Sequence, residues 1–228
     1  MKRTSPYGQQ GRSVRRKTSR RNLQGKPRYF APSPEKKFHD FDSSAVLNTA
    51  STIQLVNPSC NIIAQGNDES ERVGRKITVT KIQIRGYVKI PGQTAISDAS
   101  NRVRIIVYHD RQANKNSTAV TGSTLLESDT LDSFRNLSNG KRFKFLCDKT
   151  ILLNQLSGGG NGTSDRLAEV QRGFQIYKNV NIPINYDSTT GAITELTENN
   201  IGVAVVCSDF TTTAPQIIYK GRLRYTDL

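Results

Sequence analysis

Beyond residue 38, apolar residues recur at every second position, and this spacing constrains the fold more than any other feature of the chain. The apolar runs are separated by clusters of Gly, Asn, Asp and Ser. A period of two with such breaks is typical of β-strands joined by turns, whereas a helix repeats about every 3.6 residues. The pattern predicts strands at 45–56, 76–90, 102–108, 142–153, 173–186, 201–207 and 216–225, with a weaker eighth near 192–196.

These segments predict an all-β domain that spans residues 38–228. Their long connections and the lack of a long helical pattern favour antiparallel strands packed as a sandwich. A sandwich of seven or eight such strands is typical of a jelly roll. We therefore expect a single eight-stranded antiparallel jelly-roll sandwich.

Residues 1–37 differ from the rest of the chain in charge. They hold twelve Lys and Arg residues against one carboxylate, Glu35, which gives a net charge of +11. The remaining 191 residues hold 21 Lys and Arg against 18 Asp and Glu, which gives +3. The basic segment also has too little apolar surface to offset the entropy of ordering its backbone. We therefore predict a disordered arm over residues 1–37.

Clustered cations on a flexible arm favour a polyanionic partner, because they displace counterions from phosphates. Single-stranded nucleic acid is the leading candidate, and Tyr7, Tyr29 and Phe30 are suited to stack on unpaired bases. An anionic membrane is a weaker candidate because the arm lacks a periodic apolar face, and we expect no membrane insertion. The same basic clusters resemble a nuclear localisation signal. The predicted nucleic-acid contacts are Lys2, Arg3, Arg12, Arg15, Arg16, Lys17, Arg20, Arg21, Lys26 and Arg28.

The predicted strand 76–90 contains a slip in its alternation. Ile77 and Val79 have one parity, and the apolar residues from Ile82 onward have the other, which a β-bulge near Thr80 and Lys81 would explain. After the slip, the polar positions carry three cations around one aromatic residue. Two interpretations remain open: a solvated sheet face, or a secondary nucleic-acid contact. The residues concerned are Lys81, Arg85, Tyr87 and Lys89, and the last predicted strand has a similar row of Lys220, Arg222 and Arg224.

The residue inventory does not favour an enzyme. The two histidines, His39 and His109, are too few for a cupin-type metal site, and we expect His109 to be a surface or interface residue at a strand end. The glycine-rich segment 157–164 lacks the Gly-Lys-Ser/Thr ending of a P-loop. We therefore predict no catalytic residue, no metal and no cofactor. Three cysteines, odd in number and far apart, predict buried thiols rather than disulfides: Cys60, Cys147 and Cys207.

Three strings of the sequence carry a family resemblance. They are Gln-Gly-Asn-Asp-Glu-Ser-Glu-Arg-Val-Gly-Arg-Lys-Ile-Thr-Val at 65–79, Val-Arg-Ile-Ile-Val-Tyr-His-Asp-Arg-Gln-Ala-Asn at 103–114, and Gly-Arg-Leu-Arg-Tyr-Thr-Asp at 221–227. In this order, and after an Arg-rich arm, they resemble capsid proteins of small circular single-stranded DNA viruses, the circovirus-like and geminivirus-like group. The chain departs from the group where Asn-Lys-Asn at 114–116 replaces a frequent Asn-Gly turn.

The resemblance implies a jelly roll, a T=1 icosahedral shell of roughly 60 identical subunits, and a packaged single-stranded DNA genome. It also implies location in the virion, and in the host nucleus during assembly, with import receptors as partners of the arm. Only the resemblance favours DNA over RNA.

Two other interpretations remain open from the sequence. A non-capsid nucleic-acid-binding protein, such as a viral nuclear shuttle or movement protein, would carry the same arm on a domain that does not assemble. A jelly-roll enzyme or lectin would use the arm as a targeting tail. Closed particles formed by the purified protein would separate a coat protein from both.

Overall fold

The computed structural model of the protein describes residues 35–48, 52–92, 100–115, 120–155, 157–158, 166–208 and 213–227. The arm residues before 35 therefore lie outside the described residues. The strands are β1 Lys36–Val46, β2 Gln54–Asn57, β3 Lys76–Ile90, β4 Ser100–Asp110, β5 Phe143–Asn154, β6 Ser157–Gly158, β7 Arg166–Leu167, β8 Val170–Tyr186, β9 Leu196–Glu198, β10 Asn200–Cys207 and β11 Gln216–Asp227. A single helical turn, α1, spans Gly122–Leu125, and a 3₁₀ turn spans Ile193–Glu195.

Two antiparallel sheets form the sandwich. The five-stranded sheet has the order β1-β11-β3-β8-β9, and the four-stranded sheet has the order β2-β10-β4-β5. The strands at the two ends of the chain lie side by side, β1 with β11 and β2 with β10, so the chain passes back and forth between the sheets as in a jelly roll. The predicted all-β, jelly-roll-like fold is confirmed.

Alternation along each strand explains where the core lies. On β11, Ile217, Tyr219 and Leu223 face the other sheet and are at most 2% exposed, whereas Lys220 and Arg224, at positions of the other parity, face water. Burial of one such large apolar side chain stabilises the fold by roughly 1.5–3 kcal/mol. The period of two in the sequence is therefore the period of the buried face.

Strand β10 is covered on both faces. All eight of its residues are buried. Val203 and Val205 belong to the core between the sheets, while Ala204 belongs to a second apolar cluster with Leu125 and Leu126. A near-continuous apolar run is typical of a strand covered in this way. The segment 121–142 thus covers the outer face of the four-stranded sheet.

The bounds of β3 and its bulge agree with the prediction. The strand runs from Lys76 to Ile90, and its register with β8 shifts between Val79 and Lys81. Its register with β11 shifts opposite the same point, between Arg224 and Tyr225. One extra residue therefore reverses which parity faces the core.

The predicted strand at 45–56 is wrong. The structure instead has β1 ending at Val46 and β2 beginning at Gln54. β1 is an edge strand whose outward positions are polar, including Asp40 and Asp42, so its apolar pattern is weak. The weak eighth strand near 192–196 is a 3₁₀ turn followed by the short β9.

β1 begins inside the predicted arm. Lys36 pairs with Thr226 and Lys37 with Tyr225. The Lys37 side chain is nearly inaccessible, and its Nζ lies 3.7 Å from Glu35. The first strand therefore starts two residues before the expected domain boundary at residue 38.

Two of the three cysteines are buried as predicted. Cys60 and Cys207 are each 1% exposed, and burial raises the pKa of the Cys60 thiol. Cys147 is only partly buried because β5 lies at the edge of its sheet. Its burial still raises the pKa of its thiol.

The turn after β4 has left-handed backbone without glycine. Asn114 has a φ of 48° and Lys115 a φ of 59°. A lysine in this region costs roughly 1–2 kcal/mol, because its Cβ crowds the carbonyl oxygen. The Lys115 amide donates to Leu196 O at 2.8 Å and its ammonium pairs with Asp187, which offsets that cost. The chain thus forms this turn despite the lysine at the second position.

Candidate nucleic-acid interface

The outer face of the five-stranded sheet carries the residues singled out on β3. Their neighbours Ile82, Ile84 and Val88 are at most 1% exposed and face the core, so the intervening polar residues face outward. The structure places the four predicted contacts in one row on this face: Lys81, Arg85, Tyr87 and Lys89.

The row of cations on β11 lies directly beside the row on β3. Lys220 is opposite Arg85, Arg224 is opposite Lys81, and Arg222 is opposite Gln83. The parity of the β11 cations is visible in the sequence, but their position beside β3 is not. We call these six cations the basic sheet face: Lys81, Arg85, Lys89, Lys220, Arg222 and Arg224.

The register creates like-charge pairs. Directly opposite residues in an antiparallel pair have Cβ atoms about 4.5–5.5 Å apart, and like charges there are destabilising. In the described part of the chain, none of the basic sheet face residues other than Arg222 has a carboxylate oxygen within 4.0 Å. Lys220 has Asp42 opposite it on β1, which partly offsets its charge, whereas the cations on β3 are available to an external anion.

Arg222 is the compensated member of this face. Its guanidinium donates to both carboxylate oxygens of Asp40 at 2.6 Å and lies 4.5 Å from the ring centroid of Phe38. The hydrogen bond from Arg222 lowers the pKa of Asp40, and the same bond raises the pKa of Arg222. Arg222 is therefore committed to β1.

A shallow depression of about 450 Å³ lies on this face between β1 and β3. Arg85, Lys220 and Arg222 line it on one side, and Asp40 and Asp42 line it on the other. Its floor crosses Gly221, which a side chain could not replace, because an added Cβ would lie 2.1 Å from the Phe41 ring. The depression is thus mixed in charge, and the unpaired cations lie at its β3 side.

Two aromatic residues accompany the cations. Tyr87 lies between Ile218 of β11 and Gly173 of β8. Gly173 has no side chain, and a Cβ added there would meet only open space and one backbone oxygen at 3.8 Å, so one flank of Tyr87 is uncovered. Tyr177, opposite Gln83, is 50% exposed. Tyr87 itself is half-buried. Accessible aromatic rings among cations are suited to stacking on unpaired bases.

The arm contacts predicted between Lys2 and Arg28 lie outside the described residues. The outer face of the domain is therefore the part of the predicted interface whose geometry is known. The sequence located four of its residues, and the pairing of β3 with β11 adds three more cations.

His109 was predicted to be a surface or interface residue, and the structure shows that it is not at the surface of the domain. Its exposed fraction is 8%, and its Nε2 lies 2.8 Å from Oδ1 of Asn199. It faces inward because it is opposite the buried Ile201 in the four-stranded sheet. Burial lowers the pKa of its imidazole, and the hydrogen bond with Asn199 opposes part of that shift.

Arg72 is a buried cation that the sequence analysis did not single out. Its exposed fraction is 0%, and its guanidinium donates to Ile63 O at 3.0 Å, to Gly74 O at 2.7 Å and to Ser188 O. The same group lies 4.1 Å from the ring centroid of Tyr186. Arg72 therefore stabilises the junction of two loops and is not available to a ligand.

Within the described residues, no group of three His, Cys, Asp or Glu side chains is arranged to hold a metal ion. None of the helices described there is long and apolar enough to cross a membrane.

No protein-family model matches the chain, and no curated protein matches its sequence. Solved structures with some similarity include Desmodium yellow mottle tymovirus, at 12% identity and a TM-score of 0.32, with 86% of this chain and 90% of that chain covered. The 60-mer of the beak-and-feather disease virus (BFDV) capsid protein is 9% identical with a TM-score of 0.30, covering 86% and 93%. The VP2 subviral particle of infectious bursal disease virus is 9% identical with a TM-score of 0.23, covering 86% and 37%. Similarities this low do not assign the chain to a family.

Proposed function

We propose that this chain is a viral coat protein that packages a single-stranded nucleic acid, with DNA favoured by the resemblance of its sequence. Its jelly-roll domains assemble into a closed icosahedral shell of about 60 copies. The basic arm at residues 1–37 and the basic sheet face hold the nucleic acid inside the shell. The protein acts in the virion, and the arm directs newly made subunits to the host nucleus through import receptors.

The excess of cations on the basic sheet face is the observation that carries this proposal. Lys220 opposite Arg85 and Arg224 opposite Lys81 repel each other. Asp42 is opposite Lys220 on β1 and offsets part of its charge, and Asp40 is bound to Arg222, so the six cations still outnumber the two carboxylates beside them. A phosphate backbone on this face removes the repulsion and releases its own counterions. The domain thus offers a second polyanion contact on a different part of the chain from the arm.

The jelly roll by itself does not decide the function, because lectins, cupins and capsid proteins all use it. A second feature favours assembly. Segment 121–142 displays Phe134 and Leu137, whose exposed fractions are 79% and 77%. Large apolar side chains held in water are typical of protein contact sites.

The segment that displays these side chains is firmly held. Arg104 donates to both oxygens of Asp148 at 2.8 and 2.6 Å, and also to Leu131 O and Ser133 O at 2.8 and 2.7 Å. Arg135 donates to Gly140 O at 3.1 Å. Because the backbone around Phe134 is held in this way, its exposed ring can enter a neighbouring subunit at little entropic cost.

Electron microscopy of the purified full chain tests assembly. Uniform closed particles that protect co-purified nucleic acid from nuclease are expected for a coat protein. Phe134→Ser with Leu137→Ser should reduce particle yield while leaving a folded subunit, and Leu152→Ser, another exposed apolar residue, serves as the control. A wild-type protein that remains monomeric while binding nucleic acid would instead favour the shuttle or movement protein.

Charge reversal tests the basic sheet face. The triple variant Lys81→Glu, Arg85→Glu, Lys220→Glu removes three cations from this face. The control Lys141→Glu, Lys149→Glu, Arg172→Glu makes the same change in net charge at exposed sites elsewhere. For a single-stranded oligonucleotide, each lost phosphate contact flattens the log–log salt dependence of binding by about 0.7, so the first triple should flatten it by roughly 2. Equal slopes for the two triples would rule out this face.

Deletion of residues 1–34 tests the arm. The deletion stops there because Lys36 and Lys37 belong to β1. The shortened chain should keep its thermal stability and lose most of its nucleic-acid retention, since the arm carries most of the excess charge. Retention equal to that of the full chain would exclude a packaging role for the arm.

A further inference from the structure

A second cationic site lies on the open side of the sandwich, between the edges of β5 and β8. β5 is the last strand of the four-stranded sheet, and β8 pairs with β9 through Asn185 and Tyr186. Between the two edges is a cleft of about 650 Å³. Its polar lining is His109, Arg111, Lys144, Lys178, Asn179 and Asn181.

Two lysines occupy core-facing positions at this cleft. Lys178 is opposite the buried Ile82 on β3, and Lys144 is opposite the buried His109 on β4. On the neighbouring strands β3 and β4, positions of this parity such as Ile84 and Val107 hold apolar side chains that pack between the layers. Here the layers separate, and the cations from both sheets point toward the same gap.

The cleft has one sign of charge. In the part of the chain that the structure describes, Arg111, Lys144 and Lys178 have no carboxylate oxygen within 4.0 Å, and no Asp or Glu lines the cleft. The neighbouring Asp110 accepts from Nε and Nη2 of Arg142 at 2.9 and 2.8 Å. A concave site lined by one sign of charge concentrates its field and attracts counterions.

We propose that this cleft binds a phosphate-bearing ligand of about nucleotide size, with Arg111, Lys144 and Lys178 contacting the phosphate oxygens and the amides of Asn179 and Asn181 donating to the remainder. Its volume lies within the range of roughly 300–1,000 Å³ typical of small-molecule sites and exceeds what one inorganic phosphate fills. The cleft adjoins the basic sheet face, because its Asn179 is opposite Lys81, and the proposal does not depend on shell assembly.

Reductive labelling of the full chain with pyridoxal 5′-phosphate tests the site. This probe combines a phosphate with an aldehyde that forms an imine with a nearby lysine, and borohydride then reduces the imine to a stable adduct. Peptide mass spectrometry should find Lys144 and Lys178 labelled on the order of fivefold more than the exposed Lys36 and Lys76, because phosphate binding raises the local probe concentration. Adenosine monophosphate should suppress labelling at the two cleft lysines.

A matched pair of variants controls for general surface charge. Arg111→Gln removes a cleft cation and should lower the labelling of Lys144 and Lys178 severalfold. Arg172→Gln makes the same substitution on β8, six residues from Lys178, and should leave the labelling unchanged.

Three outcomes would overturn the proposal. Labelling at Lys144 and Lys178 no greater than at Lys36 and Lys76 would show that the cleft binds no phosphate. Equal protection by inorganic phosphate and by adenosine monophosphate would reject the nucleotide-sized ligand. Protection by a sulfated heparin oligosaccharide, with none by adenosine monophosphate or oligothymidylate, would assign the cleft to a different class of ligand. A failure of any kind here leaves the particle and arm experiments unaffected.

Discussion

Arginine side chains on the two outer faces of the sandwich differ in their partners. On the four-stranded side, Arg102 donates two hydrogen bonds to the carboxylate of Asp132, and Arg104 donates two to that of Asp148. On the five-stranded side, Arg85 lies opposite Lys220 and has no carboxylate within 4.0 Å in the described residues. Arg102 and Arg104 therefore stabilise the fold on one side, whereas on the other side Arg222 is bound in this way, to Asp40, and Arg85 is available to the proposed ligand.

Truncation of one arginine on each outer face should give the largest difference, and that difference is in the free energy of unfolding. Arg104→Ala removes the bonds to Asp148 and to two carbonyls of segment 121–142, and should lower the free energy of unfolding by roughly 2–3 kcal/mol. Arg85→Ala should change it by less than about 0.5 kcal/mol, since it relieves repulsion from Lys220. Urea denaturation of both variants measures the difference, and equal losses would contradict the division between the two sides.

Removal of the uncovered aromatic on the basic sheet face should affect binding rather than stability. Tyr87→Ala should weaken binding of a single-stranded oligonucleotide by roughly tenfold, because stacking contributes about 1–3 kcal/mol per base. Tyr87→Phe keeps the ring and should bind like the wild type. Fluorescence anisotropy of a labelled oligonucleotide compares them. A phenylalanine variant as weak as the alanine variant would mean that the hydroxyl, not the ring, makes the contact.

Release of Arg222 from its carboxylate partner should have a smaller effect on oligonucleotide binding. Asp40→Asn releases Arg222 on the basic sheet face, which should strengthen oligonucleotide binding on the order of fivefold and steepen its salt dependence by about 0.7. Asp132→Asn releases Arg102 on the other side and should leave binding unchanged. Titration at several salt concentrations measures both slopes. A gain from Asp132→Asn equal to that from Asp40→Asn would show that any freed arginine suffices.

The smallest effect concerns one histidine from each sheet. Burial lowers the pKa of both His39 and His109. The unfolded chain therefore takes up protons first as the pH falls through about 6.5, so the free energy of unfolding should decline on acidification. Asp40 opposes the shift at His39, and the hydrogen bond with Asn199 opposes it at His109, but burial is the larger cause at both. His39→Gln and His109→Gln should each flatten the pH dependence in urea titrations from pH 8 to 5, and a pH dependence unchanged in both variants would contradict this account.

The sequence predicted which side chains of a strand face the core, because apolar and polar residues alternate along it. β3 was predicted at its observed bounds because its apolar residues alternate without interruption on either side of the slip at Thr80 and Lys81. The edge strand β1 was misplaced because polar residues such as Asp40 and Ser44 fill its outward positions. Alternation is strongest where a strand has neighbours on both sides and a buried face.

Neighbours in space were not available from the sequence. Nothing in the local pattern places Lys220 beside Arg85, since the two strands that carry them are more than a hundred residues apart. The burial of Arg72 also depends on distant carbonyls, including that of Ser188. His109 has the parity of a core residue, but its polarity and its position at a strand end favoured a surface assignment that the packing overrides.

The pairing of β1 with β11 affects how much weak contacts on the basic sheet face contribute to nucleic-acid binding. β1 is hydrogen-bonded to β11 from Lys36 opposite Thr226 to Val46 opposite Gln216, so the residues before it are tethered to the sheet that carries the basic sheet face. Under the proposed function, a nucleic-acid strand bound by the arm encounters Lys220 and its neighbours in an intramolecular step, at an effective concentration on the order of millimolar. Contacts too weak to bind a free oligonucleotide can then fix the position of a nucleic-acid strand that the arm already holds.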